Sequence, residues 1–265
     1  MNIKRVLLVG CPRSGTTILQ AILSSHPKVF SLPETHFFPA LCSKNSFIRK
    51  LGLSTLKAKK VLLEIEQQFI SQPTISTSRF SHRLTKQFLD LLDRITDSQE
   101  KSLWLEKTPQ NLWFLPFIEK FSSKFKIIHL EREPKDVIAS IHYASMKYPE
   151  SWGYQDLDET INLWSNSREI SNKFRNAPGH LHCRYEDLVD RPKEIIRDIL
   201  SFINLEFIDD LHQKSMQQRK VISRENDHWT KEISKGLKKT NSRFYAHFTK
   251  EQQNYVLAAI ESQNT

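Results

Sequence analysis

Cysteine is scarce: Cys11, Cys42 and Cys183 are the three in 265 residues, and no two make a C-x-x-C pair. An odd number without paired spacing argues against a disulfide framework and gives no zinc signature; a reducing compartment, with cytoplasmic localisation, is the expectation. No apolar run reaches the length of a membrane span or a secretory signal, so neither is expected. Repeats, low-complexity tracts and glycine-serine linkers are also missing, which makes one domain over residues 1–265 the simplest organisation. Apolar content of 38% is ample for a core at this length and argues against disorder.

Acidic residues are outnumbered, 30 against 39 Lys and Arg, for a net charge of +9. Residues 212–243 hold nine Lys or Arg against three Asp or Glu, and so supply six of that surplus. Such a segment suits a solvated face, a cover over a polyanionic ligand, or a nucleic-acid patch. Trp229 is its one aromatic residue, with no interleaving of bases and rings, so nucleic acid ranks last and no nucleic-acid partner is expected.

One more absence is specific. Gly10-Cys11-Pro12-Arg13-Ser14-Gly15-Thr16-Thr17 has the glycine spacing of a nucleotide phosphate loop, but Thr16 stands where the lysine of that loop belongs. The apolar run Val6 to Val9 precedes it, and Ile18, Leu19, Ile22 and Leu23 follow at helical spacing. A strand, a tight turn and a helix N-terminus then come in order. Positive φ at Gly10 and Gly15 would aim successive N–H groups inward, and Arg13 would add a forked cation. An ordinary turn with a surface arginine is the bland alternative; the flanking strand and helix favour anion binding.

Strands are expected at Arg5–Val9, Val29–Leu32, Ser102–Leu105, Phe125–Leu130 and His180–Arg184, and helices at Thr16–Ser25, Pro134–Tyr148, Leu157–Phe174 and Pro192–Ile203. Pro134 and Pro192 suit first helical positions. The alternation predicts an α/β fold, a P-loop-like three-layer arrangement with a mainly parallel sheet flanked by helices. Its ligand belongs outside the carboxyl ends of the strands. Residues 37–100, helical by pattern, read as an insertion that shapes a cleft.

Four clusters follow strand ends. Glu34, in Pro33-Glu34-Thr35-His36, reads either as a helix cap ahead of Phe37 and Phe38 or as a carboxylate facing the loop; His36 is a competing base. Lys107, in Glu106-Lys107-Thr108-Pro109, is either a solvated loop lysine or the charge that Thr16 lacks. Arg132 leaves a strand and Ser140 lies two turns into the next helix, where together they would hold a second phosphate; otherwise Arg132 pairs with Glu133 or Asp136. Tyr185 and Glu186, in Arg184-Tyr185-Glu186-Asp187-Leu188, would at the least close a strand.

In this order the clusters resemble the sulfotransferases that use 3′-phosphoadenosine 5′-phosphosulfate (PAPS), especially the tyrosylprotein branch and its bacterial relatives. The resemblance spans about residues 5–205: P-R-S-G-T-T from Pro12, P-E-T from Pro33, K-T-P from Lys107, R-x-P-x-D-x-x-x-S from Arg132 to Ser140, and R-Y-E-D-L from Arg184. It implies in-line sulfuryl transfer to a hydroxyl, less often an amine, with adenosine 3′,5′-bisphosphate (PAP) as product and no metal. By this resemblance Pro12, Arg13, Ser14, Gly15, Thr16 and Thr17 would hold the 5′-phosphosulfate, and Arg132 and Ser140 the 3′-phosphate. Tyr185 would lie near the adenine. Glu34 would act as base, with Lys107 and Arg13 as catalytic cations. His36 departs from the arginine that tyrosylprotein enzymes carry two residues after the glutamate, which weakens the case for a peptidyl tyrosine acceptor. The basic segment, with Lys235 or Lys238, would cover the 3′-phosphate. The competing readings are a small-molecule kinase with a degenerate loop and a basic nucleic-acid-binding protein; Phe125–Leu130 runs into Glu131 without an aspartate for magnesium, which counts against the kinase.

Overall fold

Four consecutive apolar residues, Val6 to Val9, can all be buried only in a strand covered on both faces. The computed structural model, which describes residues 3–41, 52–72, 77–121, 125–211, 215 and 243–263, places them in that setting. Strands β1 (Lys4–Val9), β2 (Val29–Ser31), β3 (Leu103–Lys107), β4 (Phe125–Glu131) and β5 (His180–Arg184) form one sheet in the order β2-β3-β1-β4-β5. All four pairings are parallel. The expected α/β fold with a P-loop-like, three-layer arrangement is the one observed.

The period of two along β1 divides its side chains between the layers. Val6 and Leu8 pack with helix α1 (Thr16–Ser24) and with Ile196, Ile199 and Leu200 of a late helix. Leu7 and Val9 face the other way, toward α2 (Phe37–Leu41), α3 (Leu56–Phe69) and α4 (Ser81–Ser98). The stretch read as an insertion thus supplies much of one face of the core, with Phe37, Phe38 and Phe88 fully buried. It is also the β2–β3 crossover that two adjacent parallel strands require.

Asp93 of α4 fastens that layer to the sheet. It accepts from Arg5 through both carboxylate oxygens, at 3.2 and 2.6 Å, and from the indole N–H of Trp104 at 2.7 Å. Arg5 and Trp104 are register partners on β1 and β3, so one carboxylate locks two strands to one helix.

Beyond β3, a 3-10 stretch (Pro109–Phe114) leads into a short helix, α5 (Leu115–Ile118). Helices α6 (Pro134–Lys147), α7 (Pro149–Trp152) and α8 (Leu157–Lys173) connect β4 to β5. Helices α9 (Tyr185–Asp190), α10 (Pro192–Phe202), α11 (Arg243–His247) and α12 (Lys250–Ser262) follow. Pro134 and Pro192 are indeed first helical residues. Val137, Ile138 and Ile141 of α6, Trp164 of α8, and Phe244, Phe248 and Val256 near the end of the chain make a third buried cluster beside the sheet. No helix among the described residues is long and apolar enough to cross a membrane. Nearly all of the basic stretch, including Trp229, Lys235 and Lys238, lies outside the described residues, as does Cys42.

Candidate active site

The phosphate loop runs from the end of β1 to the start of α1, on the central strand of the sheet. Positive φ was expected at Gly10 and Gly15, but it occurs at Gly15 (φ 96°) and at Arg13 (φ 74°) instead. Gly10 is needed for a different reason: a Cβ there would sit 2.4 Å from the carbonyl oxygen of Leu130, on the neighbouring strand β4. At Gly15 a Cβ would meet the Tyr185 ring at 2.5 Å. Helix α1 begins on Gly15 with no side-chain cap and no acid in its first turn, so no carboxylate of its own first turn competes for its leading N–H groups.

These contacts make Gly15 sensitive to a single methyl. Gly15→Ala must strain a left-handed residue and displace a buried ring, and is expected to destabilise the fold by about 1–3 kcal/mol. Thermal unfolding would register the loss, and calorimetry is expected to show at least a tenfold weaker affinity for a bound anion.

Arg13 has a strained backbone held from two sides. Its carbonyl accepts from Arg132 Nη1 at 3.2 Å, and its own Nε donates to Ser140 Oγ at 3.1 Å. The guanidinium lies over the Trp152 ring, 5.6 Å from its centre. Arg132 in turn is 3.8 Å from Asp136 and stands over the Tyr185 ring at 4.8 Å. The Asp136 pairing weighed from the sequence is therefore present, together with the approach to the loop. Ser140, the predicted partner of Arg132, contacts Arg13.

Glu34 and Lys107 come together at the carboxyl ends of β2 and β3. Of the two readings weighed for Lys107, the solvated loop lysine does not hold: it is the last residue of β3, held in the ladder opposite Leu8, and is only 2% exposed. Its Nζ donates to Glu34 Oε1 and, at 3.1 Å, to Thr17 Oγ1 of the loop. His36, whose φ of 50° is left-handed, places Nε2 3.5 Å from Glu34 Oε2. Both candidate bases are thus in one place. Gln20 of α1 fixes the approach to Glu34 by donating to Ser31 Oγ and Leu32 O, each at 2.9 Å.

A cavity of about 550 Å³ is lined by Pro12, Arg13, Gly15, Thr16 and Thr17, by Glu34 and His36, and by Arg132 and Ser140. Ser14 is turned away: it is buried and borders a second cavity, of about 340 Å³, behind the loop. Tyr185, 5% exposed, packs beneath Gly15 as part of the core. Cys11, inside the loop, is buried, and burial pushes its thiol up to about 12.

Several cavity residues were missed from the sequence. Gln110, Trp113, Trp152 and Gln155 all line the cavity, and no local pattern distinguishes them from surface residues. Glu106 is the more informative omission. It is a fully buried carboxylate beside Lys107, and its position in an apolar strand was the available signal. Burial raises its pKa, while hydrogen bonds from Thr108 and Thr35 pull it back.

A model of the sulfotransferase family matches residues 5–210. A putative protein-tyrosine sulfotransferase of Caenorhabditis briggsae is 25% identical over 236 residues, 85% of this chain and 73% of that protein. An uncharacterized protein of Aquifex aeolicus is 23% identical over 97% of this chain, which spans about a third (32%) of that protein's length. The Drosophila melanogaster protein-tyrosine sulfotransferase is 22% identical over 77% of this chain, which spans 38% of it. Among solved structures, the sulfotransferase domain of the Synechococcus olefin synthase superposes with a TM-score of 0.64 at 21% identity, covering 98% of this chain and 94% of that one. The domain from the curacin biosynthetic pathway gives 0.61 at 20% identity, covering 98% of both. A mouse sulfotransferase complexed with PAP gives 0.59 at 15% identity, covering 98% of this chain and 84% of that one.

Proposed function

From the premise that the chain belongs to the sulfotransferase family, we propose that it moves a sulfuryl group from PAPS to an acceptor hydroxyl, with PAP as the second product. The observation that carries this reading is the joining of Glu34 to Thr17 of the phosphate loop through the Lys107 ammonium. A proton acceptor and an anion cradle then line one cavity, bridged by the buried Lys107 ammonium beside it.

Each residue has a defined task in this reading. Arg13 and the first-turn amides of α1 hold the 5′-phosphosulfate, and Arg132 with Ser140 holds the 3′-phosphate. Tyr185 supports both from below, through Gly15 and the Arg132 guanidinium. Glu34 removes the proton from the acceptor hydroxyl as that oxygen bonds to sulfur. Lys107 passes from Glu34 to the phosphate oxygen whose bond to sulfur breaks, and Arg13 steadies the sulfonate from the other side. A sulfuryl group carries less negative charge than a phosphoryl group, so fixed cations and amides suffice where a kinase uses magnesium. Arg13 and Lys107, reaching the site from different strands, replace the lysine missing at Thr16.

Calorimetry with PAP and ATP tests the donor. PAP is expected to bind at least tenfold more tightly than ATP without magnesium, and tighter ATP binding would refute the assignment. Arg132→Ala should remove about 1.5–3 kcal/mol of charged hydrogen bonding, a loss of about 10- to 100-fold for PAP, with adenosine 5′-monophosphate affected only a few-fold.

A further inference from the structure

We propose that Glu106 is a positioning residue that sets the turn carrying Glu34 and His36 against the strand end carrying Lys107; this rests on the sulfuryl-transfer reading above. Glu106 has no solvent exposure, and the side chains that hydrogen-bond to it, Thr35, Thr108 and Asn111, are all uncharged. Thr35 Oγ1 donates to Oε1 at 2.8 Å and Thr108 Oγ1 to the same oxygen at 2.6 Å, while Asn111 Nδ2 donates to Oε2 at 2.5 Å.

The two threonines occupy telling places. Thr35 directly follows Glu34, and Thr108 directly follows Lys107. Each hydroxyl also receives a backbone N–H from the turn: Phe37 N donates to Thr35 Oγ1 at 3.1 Å, and His36 N to Thr108 Oγ1 at 3.3 Å. Because each hydroxyl accepts from the backbone, its one proton is committed to Glu106. One carboxylate oxygen thereby fixes the direction of both bridges and holds His36 in its left-handed conformation. Without an acceptor at that point, both hydroxyls are left with buried, unused protons and the turn can relax.

The arrangement predicts which replacement is tolerated. Glu106→Gln would keep an oxygen where the two hydroxyls converge and would present N–H₂ to Asn111. Asn111 can turn its amide over to accept, since its Oδ1 has no hydrogen-bond partner among the described residues. Glu106→Leu would keep the bulk and lose both bridges.

The experiment compares the wild-type chain with Glu106→Leu, Glu106→Gln and Thr108→Val. The readouts are PAP affinity by calorimetry, PAPS turnover to PAP with water or a simple phenol as acceptor, and amide hydrogen exchange at His36 and Phe37. Glu106→Leu is expected to lower kcat about 100-fold, the size of effect that follows from misplacing a reacting group by about 1 Å. Its PAP affinity should stay within threefold of wild type, and exchange at the two amides should quicken at least tenfold. Glu106→Gln should recover kcat to within about fivefold. Thr108→Val, the variant to rely on if Glu106→Leu does not fold, should lower kcat about tenfold and quicken exchange at His36 alone. Unchanged kcat in Glu106→Leu or in Thr108→Val, or a Glu106→Gln variant as slow as Glu106→Leu, would overturn the proposal. A wild-type chain that neither binds PAP nor turns over PAPS would instead refute the sulfuryl-transfer reading.

Discussion

Glu34→Gln is expected to slow sulfuryl transfer by about two to four orders of magnitude, the range that a positioned general base contributes, while PAP affinity changes less than threefold. The separation follows from where Glu34 sits. It lies between β2 and α2, whereas the proposed anion cradle is built on β1, α1 and α6 and is joined to Glu34 through Lys107, so the substitution removes a proton acceptor and leaves the residues of the cradle in place. The glutamine also keeps an oxygen that can accept from Lys107 Nζ, so the buried ammonium is not left alone. Release of PAP from PAPS, followed over a panel of hydroxyl acceptors beside calorimetry, measures both quantities. A variant that keeps more than a tenth of the wild-type rate would transfer the role to His36, whose Nε2 is 3.5 Å from the same carboxylate.

Lys107→Met should give the second large loss, about two to three orders of magnitude in kcat, matching the removal of one charge-stabilising donor from a protected site. Methionine suits the position physically, being of similar length, flexible and apolar at a side chain that is 2% exposed. The fold should therefore persist, and affinity for PAP should fall less than tenfold. Since Lys107 and Glu34 are in direct contact, their effects should not add. The double variant is expected to be within about tenfold of Glu34→Gln alone, and single-turnover rates would measure this. Fully additive losses would mean that the two groups act in separate steps.

Much of the scaffold was legible because its signals are local. Val6 to Val9, the glycine pair of the loop, Pro134 and Pro192 each state a backbone preference within a few residues. Alternation of these segments was enough for a parallel sheet, since parallel neighbours need a crossover. The loop glycines were read correctly as necessary but for a partly wrong reason. Gly10 is required by the nearness of Leu130 O, from a strand more than a hundred residues later, and nothing near Gly10 in the chain encodes that contact.

The site was legible only in part for the same reason. Glu34, Lys107, Arg132 and Ser140 could be named because they lie at or after the carboxyl ends of strands, where a parallel sheet gathers its functional residues. Of their pairings, Arg132 with Asp136 was among those weighed, whereas Lys107 with Glu34 and Arg13 with Ser140 were not. Glu106 escaped assignment because burial, not type or spacing, makes its carboxylate unusual, and burial is settled by what packs over β3.

By itself, then, the sequence determined the order of strands and helices, a turn with the shape of an anion cradle, and a set of charged residues at the ends of strands. Only the tertiary structure decided that Lys107 reaches Glu34 across 73 positions and Thr17 across 90, and that Arg13 reaches Ser140 across 127. Local propensity fixes φ and ψ residue by residue, whereas these distances follow from the order β2-β3-β1-β4. That order is chosen by burying both faces of β1 at once.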